Sequence, residues 1–174
     1  MNHEVPYVPK KTATIIAVDD PSATALRAML EIYNYRVTTH WIGSRTELVM
    51  LLDGSLPLED EFVILACHGD EQGIVVPGEP HLTAQDVAER AKLQDKTVLS
   101  LGCKTGAPDF RQAFQRAGTD AYVAPSDYPD GNTALVFAAV FCYELSKGTN
   151  VAEAIQKAAS VDDETAMFKL PEGR

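Results

Sequence analysis

Short apolar runs alternate with amphipathic segments from one end of this chain to the other, and that alternation leaves few folds open to it. The runs fall at residues 12–18 and 35–42, from Phe62 to His68, from Val98 to Cys103, and at 121–124. Between them lie segments of helical spacing with readable starts. Asp20-Pro21 precedes Leu26, Met29, Leu30 and Tyr33; the capping-box pattern Ser44-Arg45-Thr46-Glu47 precedes Leu48, Val49, Leu51 and Leu52. Thr83-Ala84-Gln85-Asp86 precedes Val87, Ala88, Ala91 and Leu93, and residues 109–117 carry Phe110, Ala113 and Phe114 before a stop at Gly118. Nearly uncharged residues 133–147 and then residues 150–159 add two more helices. Strands alternating with helices predict an α/β fold, a three-layer αβα sandwich whose sheet is mostly parallel with right-handed crossovers. The uninterrupted apolar runs ending at His68 and Cys103 suit central strands, whereas 35–42, with Thr38, Thr39 and His40 among its apolar residues, suits an edge. Residues 73–78, apolar between glycines, read as a small hairpin near the end of the third strand.

The 174 residues suit a single domain, 1–174, with 1–11 a leader and 161–174 a tail that docks or frays. Apolar residues make up 45% and charged residues 23%, which argues for a globular chain over a disordered one. The net charge of −10 disfavours nucleic acid and anionic membrane as partners and favours basic ones. The apolar stretch from Thr133 to Tyr143 is too short to span a bilayer. Met1-Asn2-His3-Glu4-Val5-Pro6 lacks the build of a signal peptide, so a cytoplasmic location is expected. In that compartment Cys67, Cys103 and Cys142 are expected to be free thiols. No cofactor is expected and no metal: Cys67, His68, His81 and Cys103 form a conceivable zinc set, but without CxxC or HxxxH spacing.

In parallel sheets the functional residues lie beyond the carboxyl ends of the strands. Asp19-Asp20, His68-Gly69, Cys103 and Ser126-Asp127 all fall at that edge. If the strands ending at His68 and Cys103 are neighbours, about 4.8 Å apart, an imidazole and a thiol emerge side by side. Cys103 then reads as a nucleophile, its thiol pKa expected to be lowered by Lys104 and the imidazole, with His68 as acid/base. The N–H groups of Gly69 and Cys103 would form an oxyanion hole, and Gly69 would let a substrate backbone approach. Asp20 and Asp127 are candidates to bind a basic substrate side chain, along with Asp70 and Asp130; each also suits a local task as cap or turn former, and Asp70 could orient His68. The plain alternative makes Cys103 an inert packing residue. Cys67 faces the other side of its strand and Cys142 lies in the apolar helix, so both read as core; His3 and His40 read as surface or edge residues.

The His68-Gly69 and Cys103 blocks resemble those of the clan CD cysteine peptidases, and the CHAT domains among them are the nearer match. The likeness runs from Leu82-Thr83-Ala84-Gln85-Asp86-Val87 through Val98-Leu99-Ser100-Leu101-Gly102-Cys103-Lys104-Thr105-Gly106. It continues in Phe110 to Gly118 and Val123-Ala124-Pro125-Ser126, and ends in the stretch from Gly148 to Ala158. Gly102 stands where alanine is more usual, and Ser126-Asp127-Tyr128-Pro129 lacks a tryptophan common in CHAT domains. The resemblance implies a caspase-like fold with strand order 2-1-3-4-5 and a Cys103–His68 dyad. It further implies hydrolysis of a protein or peptide substrate through a thioester, and a possible regulatory protein partner. Oligomeric state is left open. Two other readings stand beside it: a non-catalytic caspase-like interaction module, and a receiver-like signalling domain suggested by Val18-Asp19-Asp20-Pro21, although the third strand ends on Cys67-His68-Gly69 where a phosphate-accepting aspartate belongs.

Overall fold

The computed structural model describes residues 11–169; the leader up to residue 10, with His3, and residues 170–174 lie outside the described part. Strand β1 (Lys11–Val18), helix α1 (Ser22–Ile32), β2 (Tyr35–Ile42), α2 (Arg45–Leu52) and β3 (Phe62–Cys67) come first. A small hairpin follows, β4 (Gly69–Asp70) and β5 (Gly73–Ile74), then α3 (Ala84–Arg90), β6 (Thr97–Ser100), α4 (Pro108–Arg116) and β7 (Ala121–Pro125). The chain continues through α5 (Gly131–Ser146), α6 (Val151–Ala159), a 3-10 turn (Thr165–Met167) and β8 (Phe168–Lys169). The sheet order is β2-β1-β3-β6-β7-β8. Its first five strands are parallel, which is the expected order 2-1-3-4-5, and β3 and β6 are indeed neighbours at the centre.

Alternation of side chains along each strand divides the core in two. Ala13, Ile15, Ala17, Ile64, Ala66, Leu99 and Val123 pack with α1, α5 and α6. Ile16, Val18, Val63, Leu65, Cys67, Val98 and Tyr122 pack with α2, α3 and α4. All six residues of β3 are buried, as befits a strand covered on both faces. β2 occupies the edge, with Trp41 60% exposed. The helix starts follow the sequence: Ser44 accepts from the Glu47 N–H, Thr83 and Asp86 form a complete capping box, and the Asp20 carboxylate accepts from the Ser22 N–H at 2.9 Å. Among the described residues no helix is long and apolar enough to cross a membrane.

The tail docks as far as it is described. β8 pairs antiparallel with β7, and Phe168 is fully buried, its ring stacked 4.2 Å from that of Phe137. Two residues of strand are too few to leave an alternation pattern, which is why the sixth strand is not legible in the sequence. Phe168→Ala should lower unfolding stability in urea by about 3–5 kcal/mol, the usual cost of deleting a buried aromatic ring; a loss below about 1 kcal/mol would mean that this segment is not part of the core.

The α5–α6 junction is held by a nearly buried carboxylate. Glu144 accepts from Lys147 at 2.6 Å, from Lys157 at 2.8 Å and from the Thr149 hydroxyl at 3.0 Å. The Lys147 and Lys157 contacts lower its pKa from 4.5 to about 2. A carboxylate whose pKa falls on folding stabilises the native state above its unfolded pKa and loses that contribution as pH drops through the folded value. Glu144→Gln should therefore melt lower than the parent at pH 6, with the gap closing between about pH 4.5 and 2.

Candidate active site

Strand register places the two reactive residues level with one another. β3 and β6 pair up to Leu65 opposite Ser100; His68 lies 68 − 65 = 3 residues beyond this pair and Cys103 lies 103 − 100 = 3 residues beyond it. The Leu101 N–H donates to the Leu65 carbonyl at 2.9 Å, carrying the ladder one step further. Past that point the two chain segments touch backbone to backbone. A Cβ on Gly69 would lie 2.3 Å from the Cys103 carbonyl oxygen and 2.9 Å from the Thr105 methyl; one on Gly102 would lie 3.0 Å from the Cys67 sulfur. Glycine at 69 is thus required for the His68 turn to back onto the Cys103 turn, a tighter reason than room for substrate.

The Cys103 turn itself rests on buried polar groups. The Thr105 hydroxyl donates to the Gly102 carbonyl at 2.7 Å and lies 2.8 Å from the Ser100 hydroxyl. The Tyr122 hydroxyl donates to the Thr105 carbonyl at 2.8 Å, its ring stacked on Phe114. Lys104 adopts a left-handed φ of 61°, and its N–H donates to the Asp127 carbonyl at 3.1 Å. On the other side the His68 carbonyl accepts from the Val75 N–H at 3.0 Å, joining His68 to the hairpin of β4 and β5. The His68 side chain itself is exposed.

The electrostatics depart from expectation. Cys103 is partly buried, and its thiol pKa is raised, not lowered. Burial is the largest cause; a hydrogen bond with its own N–H acts the other way, and the negative charge of Asp127 adds to the rise. Lys104 does not offset this, because its ammonium is engaged by Asp127 at 2.9 Å and sits 5.3 Å from the Tyr128 ring centre. That pairing raises the Lys104 pKa and lowers that of Asp127. The Cys103 thiol donates a long hydrogen bond, 4.0 Å, to the Pro129 carbonyl.

Asp20 and Asp127 both stand at the carboxyl edge with local partners, Asp20 at the start of α1 and Asp127 on Lys104. Asp130 caps α5 through the Asn132 N–H. Asp70 orients no catalytic imidazole; it pairs with His81 at 3.1 Å and accepts from the N–H groups of Gln72 and Gly73, the last two holding the hairpin turn. Cys67 and Cys142 are buried, and burial pushes the Cys67 thiol up to about 12 and Cys142 higher still. Among the described residues no group of three or more His, Cys, Asp or Glu is placed to hold a metal ion.

Sequence reasoning missed a pair that links two loops at this edge. The Glu71 carboxylate accepts from the Tyr128 hydroxyl, which depresses the Glu71 pKa and pushes Tyr128 up to about 12. This bond joins the hairpin tip after His68 to the loop after β7. No spacing rule links residues 57 positions apart, so only the fold could reveal it.

No protein-family model and no curated protein matches the chain. Solved structures do. The chain is similar to the Arg-specific cysteine proteinase gingipain R, with a TM-score of 0.56 and 14% identity over 91% of this chain and 44% of that one. It is similar also to the complex of pro- and mature domains of RgpB from Porphyromonas gingivalis, with a TM-score of 0.58 and 14% identity over 90% of this chain and 45% of that one. A flavodoxin from Streptococcus pneumonia aligns with a TM-score of 0.49 and 16% identity over 79% of this chain and 99% of that one. The chain thus shares the α/β sandwich of gingipain R, a caspase-like fold, and spans less than half the length of that proteinase.

Two substitutions probe the geometry. Gly69→Ala should cost about 1–3 kcal/mol in denaturant unfolding, because the added methyl meets backbone that cannot move alone. Asp127→Asn should shift the pH midpoint of Cys103 alkylation by iodoacetamide downward, since it removes a negative charge and frees the Lys104 ammonium; an unchanged or higher midpoint would show that neither group acts on the thiol.

Proposed function

We propose that the chain is a cysteine peptidase of the clan CD type, closest in character to CHAT domains, acting as one domain on a protein or peptide substrate. The observation that carries this reading is the packing of Gly69 against the Cys103 carbonyl, which holds the His68 and Cys103 turns in backbone contact at the centre of the sheet edge. The shared fold with gingipain R supports it. In the proposed reaction His68 takes the Cys103 proton and the sulfur attacks the scissile carbonyl. The N–H groups of Gly69 and Cys103 stabilise the oxyanion, and imidazolium returns the proton to the leaving amine. Water, deprotonated by His68, then hydrolyses the thioester, releasing the acid and restoring the thiol. Burial raises the thiol pKa, and taking the proton is the task of His68 in this reaction.

Basic substrate residues fit the acidic rim of Asp70, Glu71 and Asp127 and the net charge of −10. The gingipain R relative is itself Arg-specific, and the second structure is a complex with a pro-domain, in keeping with a protein partner here. A non-catalytic interaction module is the second reading, favoured by the raised Cys103 thiol and by the commitment of Lys104 to Asp127.

The test is turnover of fluorogenic peptides ending in Arg, Lys, Leu or Asp. Cys103→Ala should abolish cleavage, and His68→Ala should lower kcat by about 100-fold or more, the usual contribution of a positioned acid/base. Cleavage by Cys103→Ala at the parent rate would refute the peptidase; absence of turnover by the parent together with saturable peptide binding would favour the interaction module.

A further inference from the structure

Thr105 is fully buried between the two reactive turns, and each part of it has a separate contact. Its hydroxyl holds the Gly102 carbonyl and meets the Ser100 hydroxyl at the end of β6. Its methyl lies 2.9 Å from where a Cβ on Gly69 would stand, so it lines the seat on which the His68-Gly69 turn rests. Its carbonyl is gripped by Tyr122 of β7. One side chain therefore touches the end of β6, the turn carrying Cys103 and the turn carrying His68.

A purely packing role would be met by valine, which has the same shape. The hydroxyl does what valine cannot: it gives the Gly102 carbonyl a second and shorter donor beside the Thr105 N–H at 3.3 Å, and it is the 2.8 Å partner of the Ser100 hydroxyl, whose contact with the Cys67 sulfur is longer, at 3.9 Å. Losing the shorter of the two bonds to that carbonyl loosens the Gly102–Cys103 peptide, and this peptide carries the Cys103 N–H. The exposed His68 ring depends for its relation to Cys103 on the contact between the two turns.

We infer that Thr105 is a positioning residue that sets the Cys103 turn against the His68 turn, its hydroxyl fixing the Gly102–Cys103 peptide and its methyl seating Gly69. The inference rests on the dyad proposed above and reaches beyond it by assigning the geometry of that dyad to a residue that does not contact substrate.

The test measures the rate of Cys103 alkylation by iodoacetamide against pH, with and without His68→Ala, in the parent, Thr105→Ser and Thr105→Val. In the parent, His68→Ala should slow alkylation at pH 7 by about tenfold. Thr105→Ser keeps both hydroxyl bonds but loses the methyl that seats Gly69, and should retain only part of that factor; Thr105→Val keeps the methyl but loses the hydroxyl and should reduce the factor below about twofold, with an altered pH profile. A valine variant with the parent's pH profile and His68 dependence, changed only in melting temperature, would overturn the inference. If the valine variant does not fold, Tyr122→Phe takes its place with the same two readings, since it keeps the ring on Phe114 and deletes the hydroxyl that grips the Thr105 carbonyl and interacts with Ser100. Absence of any His68 dependence in the parent would defeat the dyad and this inference together, whereas dependence that survives in the variants would defeat the inference alone.

Discussion

The contact between Gly69 and the Cys103 carbonyl is the constraint on which the site depends. β3 and β6 are hydrogen-bonded up to Leu65 and Ser100, and beyond that the chains ordinarily diverge into separate loops. Here they stay together because residue 69 has no side chain, and because the Cys103 turn is braced from below by Thr105 and Tyr122. A parallel sheet supplies the direction in which both chains leave; close packing of the turns supplies the spacing that chemistry needs.

Around that junction the polar side chains have local partners. Lys104 is matched by Asp127, Glu71 is joined to Tyr128, and Asp70 is matched by His81. The cation next to the thiol in sequence is thus engaged by Asp127, whose negative charge adds to the rise of the thiol pKa that burial causes. The loop after β7 and the hairpin after His68 are linked through Tyr128 and Glu71.

Much of the fold was legible in the sequence because it follows from burial periodicity. Apolar runs such as the one from Phe62 to Cys67 and capped helices such as the one opened by Thr83 leave patterns that survive in one dimension. The adjacency of the strands that lead to His68 and to Cys103 was readable for the same reason, as both are uninterrupted apolar runs. The effect of Lys104 was misread because adjacency in sequence does not reveal which carboxylate claims an ammonium. Tyr122 and the Glu71–Tyr128 bond escaped notice because each acts between segments far apart in the chain, and Thr105 because its bonds to Gly102 and Ser100 leave no hydrophobic pattern. Phe168 was missed in turn because a two-residue strand has no period.

The central claim is that the two turns form a site for a tetrahedral species on Cys103. A crystal structure with a peptide aldehyde tests it most directly, because the aldehyde adds reversibly to a thiol to give a hemithioacetal without a leaving group. The account predicts a bond from the Cys103 sulfur to the former carbonyl carbon, with its oxygen about 2.7–3.1 Å from the N–H groups of Gly69 and Cys103 and the His68 ring beside it. An aldehyde that binds away from Cys103, or an adduct whose oxygen turns from both N–H groups, would contradict it.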